Sequence, residues 1–217
     1  MIIAIDGGVA AGKSAVGRRV AEALGMRFVD SGLMYRAVTR LAAERGIDPD
    51  DHGAMTNLAR SVRLNIDGER VWADGIELTD GIYDADLADA LPRVSAIPGV
   101  REALVAQQRR LGDGGVVMAG RDIGTVVFPN ADRKFFLTAS LEEKVRRRAS
   151  QYERRGERVD EEAMRREVEA RDRVDSMRAV APLRPAPDAI IVDTDSRGID
   201  EVVDLILGHV AKEPGAG

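Results

Sequence analysis

Residues 7–14 read Gly7, Gly8, Val9, Ala10, Ala11, Gly12, Lys13, Ser14 and fit the phosphate-loop pattern GxxxxGK[ST] at every fixed position. The apolar run Ile2 to Ile5 before them reads as a buried strand. Ala15 to Leu24 after them reads as a helix, with Val16, Val20 and Leu24 on one face. Strand, glycine-rich loop and helix thus stand in the order that lets successive backbone N–H groups close around a phosphate, backed by the positive end of the helix. Lys13 is placed to bridge the outer phosphates, and Ser14 to sit on the magnesium that accompanies them. The stretch Gly7 to Ala15 is therefore the expected cradle for ATP.

Four further apolar runs read as buried strands: Met26–Val29, residues 115–118, Lys134–Leu137 and Ala189–Val192. Helical patterns separate them, over Leu33–Arg45, Gly99–Leu111, Ser140–Tyr152 and Ile199–Val210. Ser140 followed by Glu143 is a capping-box signature. Five such strands predict an α/β fold: a five-stranded parallel sheet with helices on both faces. Ligands in such sheets gather at the carboxyl ends of strands. There the chain carries the phosphate loop, Asp30 with Ser31, and Arg121 with Asp122.

Two stretches break the alternation. In residues 61–78, Val62, Leu64 and Ile66 alternate, with Asp67–Gly68 and Asp74–Gly75 as turns. The pattern predicts a small antiparallel β insert, with Trp72 packed in its core. A helical pattern then covers Asp84–Leu91. From Lys144 to Arg178 the chain is dense in Arg, which fits two solvated helices or a lid whose arginines meet phosphates. The expected division is a core (about 1–30, 95–145 and 186–211), an insert (about 31–94), a lid (about 146–185) and a disordered tail from 212.

Composition narrows the chemistry. With 217 residues the chain suits one domain. A formal net charge of −5 argues against a nucleic-acid or anionic-membrane partner, and the absence of Cys removes thiolate chemistry. No stretch approaches a membrane span, so a cytoplasmic protein is expected. His52 and His209 stand in no metal-ligand pattern. The arginines Arg36, Arg101, Arg121, Arg171 and Arg178 exceed what a nucleotide donor alone requires. A second anionic ligand explains them, since guanidinium binds phosphate in a bidentate way. The reaction so read is phosphoryl transfer from ATP to an acceptor that already bears a phosphate.

IDGGVAAGKS (5–14), DSGLMYR (30–36), VR (100–101), GRDIGTVVFP (120–129), RD (171–172) and DSMRAVAPL (175–183) together resemble the bacterial cytidylate kinases, over essentially the whole chain. The resemblance implies transfer of the ATP γ-phosphate to CMP or dCMP with magnesium; a monomer is expected. It also implies roles. Ser31, Arg36, Arg121 and Arg178 would hold the CMP phosphate, and Arg171 and Asp175 would contact the sugar. Arg101 and Asp122 would read cytosine, while Arg147 would act in catalysis and Arg148 on ATP from the lid. Ala119 stands where the family usually has Asp or Glu. Magnesium would then rely on Ser14, phosphates and water, with Asp30 or Asp122 behind them. Pro92 and Tyr83 replace a Ser and an Arg expected near the base and in the insert.

Rival readings make different demands. A kinase of a non-nucleotide acceptor needs neither the insert nor a cytosine-reading pair. A guanine-nucleotide switch needs an NKxD motif, which the chain lacks. A weakly active nucleotide-binding protein is compatible with Ala119, and only product formation separates it from a kinase.

Overall fold

The computed structural model describes residues 1–212 apart from 155 and 157, and of Ala85 the backbone alone. The expected disordered tail therefore falls, beyond Lys212, outside the described residues. Five strands, β1 (Ile2–Gly7), β2 (Phe28–Asp30), β6 (Val116–Gly120), β7 (Arg133–Thr138) and β8 (Ile190–Asp193), form one sheet in the order β2-β6-β1-β7-β8. Every pair in it is parallel, as the buried apolar runs require. Register sets Asp6 of β1 beside Gly120 of β6, and Asp30 of β2 beside Ala119. Three strand ends thus finish level, with the Arg121–Asp122 segment emerging between the phosphate loop and Ser31.

Alternation along the strands splits the core into two apolar layers. Ile3, Ile5, Val117 and Ala119 face α1 (Lys13–Ala23) and α8 (Ile199–Val210), where Val16, Val20, Val202 and Ile206 meet them. Ala4, Val116 and Met118 face the other way. On that side lie α2 (Gly32–Glu44), α3 (His52–Ser61), α4 (Ala90–Ala96) and α5 (Pro98–Leu111). Each fully buried Ile, Leu or Met among them contributes about 1.5–3 kcal/mol, which fixes the sheet as the frame of the site.

The insert forms a separate antiparallel sheet of β3 (Leu64–Asp67), β4 (Arg70–Ala73) and β5 (Ile76–Glu77). Asp74 and Gly75 connect β4 to β5 with φ of 52° and 85°, the left-handed pair that a two-residue hairpin loop needs. Trp72 does not enter the core. Val71 and Ala73 take the inward face, so period-two geometry turns Trp72 outward, where the Arg70 guanidinium covers its ring at 5.0 Å. The insert is tied to the main sheet by an isolated bridge between Val29 and Gly68 and by Arg27, which donates to Ile66 O and Asn65 Oδ1.

Other local departures have local causes. The Asp84–Leu91 pattern resolves into a 3-10 turn at Ala85–Leu87 followed by α4, with Pro92 in that helix's first turn, where no N–H is needed. Only half of the capping box on α6 (Leu141–Glu153) forms. Ser140 Oγ accepts the Glu143 N–H at 3.2 Å, but the Glu143 carboxylate turns to Arg146 and Arg147, and the Ser140 N–H donates to Asp195. α6 and α7 (Glu161–Met177) share a small apolar seam of Val145, Met164 and Val168; beyond it α6 is mostly half-buried and α7 mostly exposed. After Asp122 comes a feature no pattern announces, one turn of π-helix over Ile123–Val127. Among the described residues no helix is long and apolar enough to cross a membrane.

Candidate active site

The phosphate loop runs from the end of β1 into α1. A Cβ on Gly7 would lie 2.4 Å from the Leu137 carbonyl oxygen, so the turn passes too close to β7 for any side chain. Lys13 folds back over the loop and donates to Gly8 O at 2.5 Å. Burial, reinforced by the neighbouring Arg121 charge, pulls its ammonium down to about 7. Ser14 Oγ donates to Asp30 Oδ2 at 2.5 Å, and Asp30 Oδ1 accepts the Gly32 N–H at 2.9 Å.

Opposite the loop, three guanidinium groups, one from the segment after β6 and two from α7 and its carboxyl-terminal cap, gather on one buried carboxylate, Asp175 of α7. Arg121 Nε lies 2.5 Å from it, Arg171 Nε 3.5 Å and Arg178 Nη1 3.5 Å. Burial alone would raise the Asp175 carboxyl, but Arg121, Arg171 and Arg178 outweigh it and hold the group below the usual range. Burial, with a smaller push from the Arg121 and Arg36 charges and against the pull of Asp175, lowers Arg171 to about 10. Arg178 Nη2 is buried without a hydrogen-bond partner among the described residues and lies 3.8 Å from Asp122. One carboxylate cannot neutralise three guanidinium groups, so the cluster suits an added anion. Arg121 also donates to Gly7 O at 3.1 Å, which brings the cluster against the loop.

Arg101 and Asp122 form a buried ion pair, 3% and 4% exposed. Arg101 also donates to Ser95 O at 3.1 Å and covers the Tyr35 ring at 5.4 Å. The loop, Asp30, Arg36, this pair and the Asp175 cluster line one cleft of about 550 Å³. A second cleft of about 510 Å³, sharing Val9, Arg36, Arg121 and Arg171 with the first, opens between the insert and the lid helices. Arg36 stacks on Tyr83, 4.7 Å from its ring, and Pro92 lines the second cleft.

Most of the residues singled out from sequence thus converge, with three adjustments. Ser31 is in the wall, but its hydroxyl donates to Ala119 O at 2.8 Å. Arg147 lines neither cleft. It bonds Glu143, Thr194 and, at 3.4 Å, Ala10 O on the outer side of the loop. Arg148, one residue on and about 100° round the helix, lines the second cleft, stacked on Tyr152 and paired with Glu167 at 3.1 Å. Of the two carboxylates considered behind Ser14, Asp30 is in contact, and Asp122 is committed to Arg101. Ala119 lies in the apolar layer under α1.

The sequence reading missed Asp6. Buried at the end of β1, it accepts the N–H groups of Ile123 and Gly124 at 2.7 Å each and so pins the π-turn behind Arg121 and Asp122. Its one visible signal is a carboxylate closing an apolar strand. Burial, against those two hydrogen bonds, pushes its carboxyl up to about 6 from 3.8. Between those values the folded protein binds more protons than the unfolded chain. Asp6 thus subtracts stability as pH rises through the window, by roughly 3 kcal/mol in all. Urea denaturation of wild type and Asp6→Asn from pH 4 to 7 should show this falling contribution in the difference between the two curves. A pH-independent difference would refute the assignment.

The family model described as cytidylate kinase matches residues 3–212. The cytidylate kinase of Anoxybacillus flavithermus is 46% identical over 210 residues, covering 94% of this chain and 93% of that protein. A bifunctional pantoate ligase/cytidylate kinase of Synechococcus sp. is 47% identical over 214 residues, but the chain spans only 40% of its length. Among solved structures, a gluconokinase from Sinorhizobium meliloti superposes with a TM-score of 0.51 at 17% identity, covering 97% of this chain and 91% of that one. This likeness concerns the fold alone. Taken with a phosphate loop that faces a buried arginine cluster, the match along nearly the entire length places the chain in the cytidylate kinase family.

Proposed function

We propose that the protein transfers the γ-phosphoryl group of ATP to CMP or dCMP, giving ADP and CDP or dCDP. The observation that carries this reading is the Asp175 cluster. Three guanidinium groups are held around one carboxylate beside Lys13, with more positive charge than the protein itself neutralises. In this reading Gly7 to Ala15 cradle the ATP phosphates. Arg36, Arg121 and Arg178 grip the acceptor phosphate, and Arg171 and Asp175 orient its sugar. Arg148 closes from the lid onto the donor. Such a transfer asks little covalent work of the protein, and alignment and charge neutralisation carry it.

Arg101 and Asp122 read the base. Cytosine offers an amino donor beside the N3 and O2 acceptors, which a carboxylate and a guanidinium satisfy together. Uracil puts an acceptor where that amino group stands and would face the carboxylate with a lone pair. The oxygen donors at Ser14 and Asp30 suit magnesium, a hard cation that prefers few protein ligands plus phosphates and water. Magnesium bound there would neutralise charge on the phosphates during transfer. In this division α2, α3, α4 and the antiparallel sheet form the acceptor-binding insert, and α6 with α7 forms the lid. Every group invoked comes from one chain, so a monomer suffices, and ATP and CMP as substrates suit the cytoplasm.

Incubation with ATP, magnesium and each common nucleoside monophosphate tests the reading. CDP from CMP and dCDP from dCMP should dominate, with UDP formed more slowly. No diphosphate, or preference for AMP or GMP, would overturn it.

A further inference from the structure

Asp172 of α7 has a position that none of the roles above uses. Its Oδ1 accepts the Val9 N–H of the phosphate loop at 3.0 Å, and its Oδ2 accepts from Lys144 Nζ of α6 at 2.7 Å. Both side chains are largely shielded, 17% exposed for Lys144 and 23% for Asp172. The pair also fills the space over Gly8, where a Cβ would lie 2.9 Å from Asp172 Oδ1 and 3.2 Å from Lys144 Nζ. A carboxylate therefore rests on an amide of the kind that serves bound phosphate oxygens.

The place on the loop says which phosphate. Lys13, whose type of lysine serves the outer phosphates, bonds Gly8 O, and Arg121 bonds Gly7 O. The Gly7–Val9 flank is thus the outer one, while Gly12 to Ser14 opens α1 on the inner side. Val9 also lines both clefts beside Arg121 and Arg171, at the junction where a group passes from donor to acceptor.

We propose that Asp172 is a stand-in for the terminal phosphate of the nucleoside triphosphate, and that Lys144 is a further phosphate-binding residue, passed from this carboxylate to that phosphate when the nucleotide enters. Two anions cannot share the Val9 amide, so the carboxylate withdraws as the phosphate arrives. Lys144 stays tethered by α6 and becomes the counter-charge. Because only a terminal phosphate reaches this flank, the exchange separates a triphosphate from a diphosphate and reports the difference to α6 and α7.

The inference rests on the kinase reading in taking a nucleoside triphosphate as the loop's ligand. Calorimetry with the full chain, magnesium and either ADP or a non-hydrolysable ATP analogue, with no acceptor present, tests it separately. Lys144→Met should weaken the triphosphate analogue about tenfold and ADP less than about twofold. Lys144→Arg should restore the analogue, because it keeps the charge. Asp172→Asn should bind the analogue roughly fivefold more tightly, with ADP unchanged, because the competing charge is gone. A merely structural tie would weaken both ligands alike. That outcome, or a weaker analogue in Asp172→Asn, would overturn the proposal. Failure to phosphorylate CMP would leave these ratios readable. Conversely, a protein that makes CDP without showing them would lose only this inference.

Discussion

Lys13→Ala is expected to lower kcat for phosphoryl transfer at least about a thousandfold while the protein stays folded. On the proposed reading the ammonium serves the outer phosphates, and the loop carries no second cationic side chain. Its removal relieves the repulsion that Arg121 exerts on it, so the thermal midpoint should hold or rise slightly. Near-normal turnover in the variant would remove Lys13 from the mechanism. A second readout follows from the lysine's depressed affinity for its proton. With the group pulled down to about 7, the empty protein loses this charge near neutrality, and bound phosphates draw the proton back. Nucleotide affinity should therefore fall as pH rises above 7, approaching tenfold per pH unit at its steepest. Binding should take up a proton in buffers of different ionisation heat. Lys13→Ala should show neither effect.

Asp122→Asn should lose both selectivity and stability. The substitution leaves the buried Arg101 guanidinium uncompensated, a loss of about 3 kcal/mol. On the proposed base reading it also replaces the carboxylate that would face the cytosine amino donor by a group that can present N–H to uracil. The kcat/KM for CMP should fall about a hundredfold and that for UMP less than tenfold, so the CMP to UMP ratio narrows by at least tenfold. If stability falls and the ratio stays fixed, Asp122 is a structural partner of Arg101 and base reading lies elsewhere.

What could be read from sequence follows the range of the interaction. The phosphate loop, the apolar strands and the Asp74–Gly75 turn are written in adjacent residues, and all three form as their patterns require. The five arginines could be collected by composition, but the geometry that sets Arg121 on the same carboxylate as Arg171 and Arg178 is not written in any pattern, because Arg121 and Asp175 are 54 residues apart. Asp6 and the π-turn it pins are separated by 117 residues, and Val9 and Asp172 by 163. No periodicity links such pairs. Arg147 and Arg148 show the opposite limit. As neighbours in sequence they look equivalent, and only the phase of α6 decides that one is tied to Thr194 and Ala10 O while the other lines a cleft. Trp72 was misjudged by residue type, where the alternation of Val71 and Ala73 already placed it outside.

The strand order has a consequence for how the chain acquires its shape. β1 lies between β6 and β7, and in the main sheet β2 pairs with β6 alone. The amino-terminal strands must therefore wait for residues 116–138 before that sheet can begin to assemble. During synthesis the insert, whose hairpins are local, can mature first, while β1, made earlier, stays unpaired as apolar chain. Nascent protein stalled before residue 116 should thus be the species most in need of a chaperone.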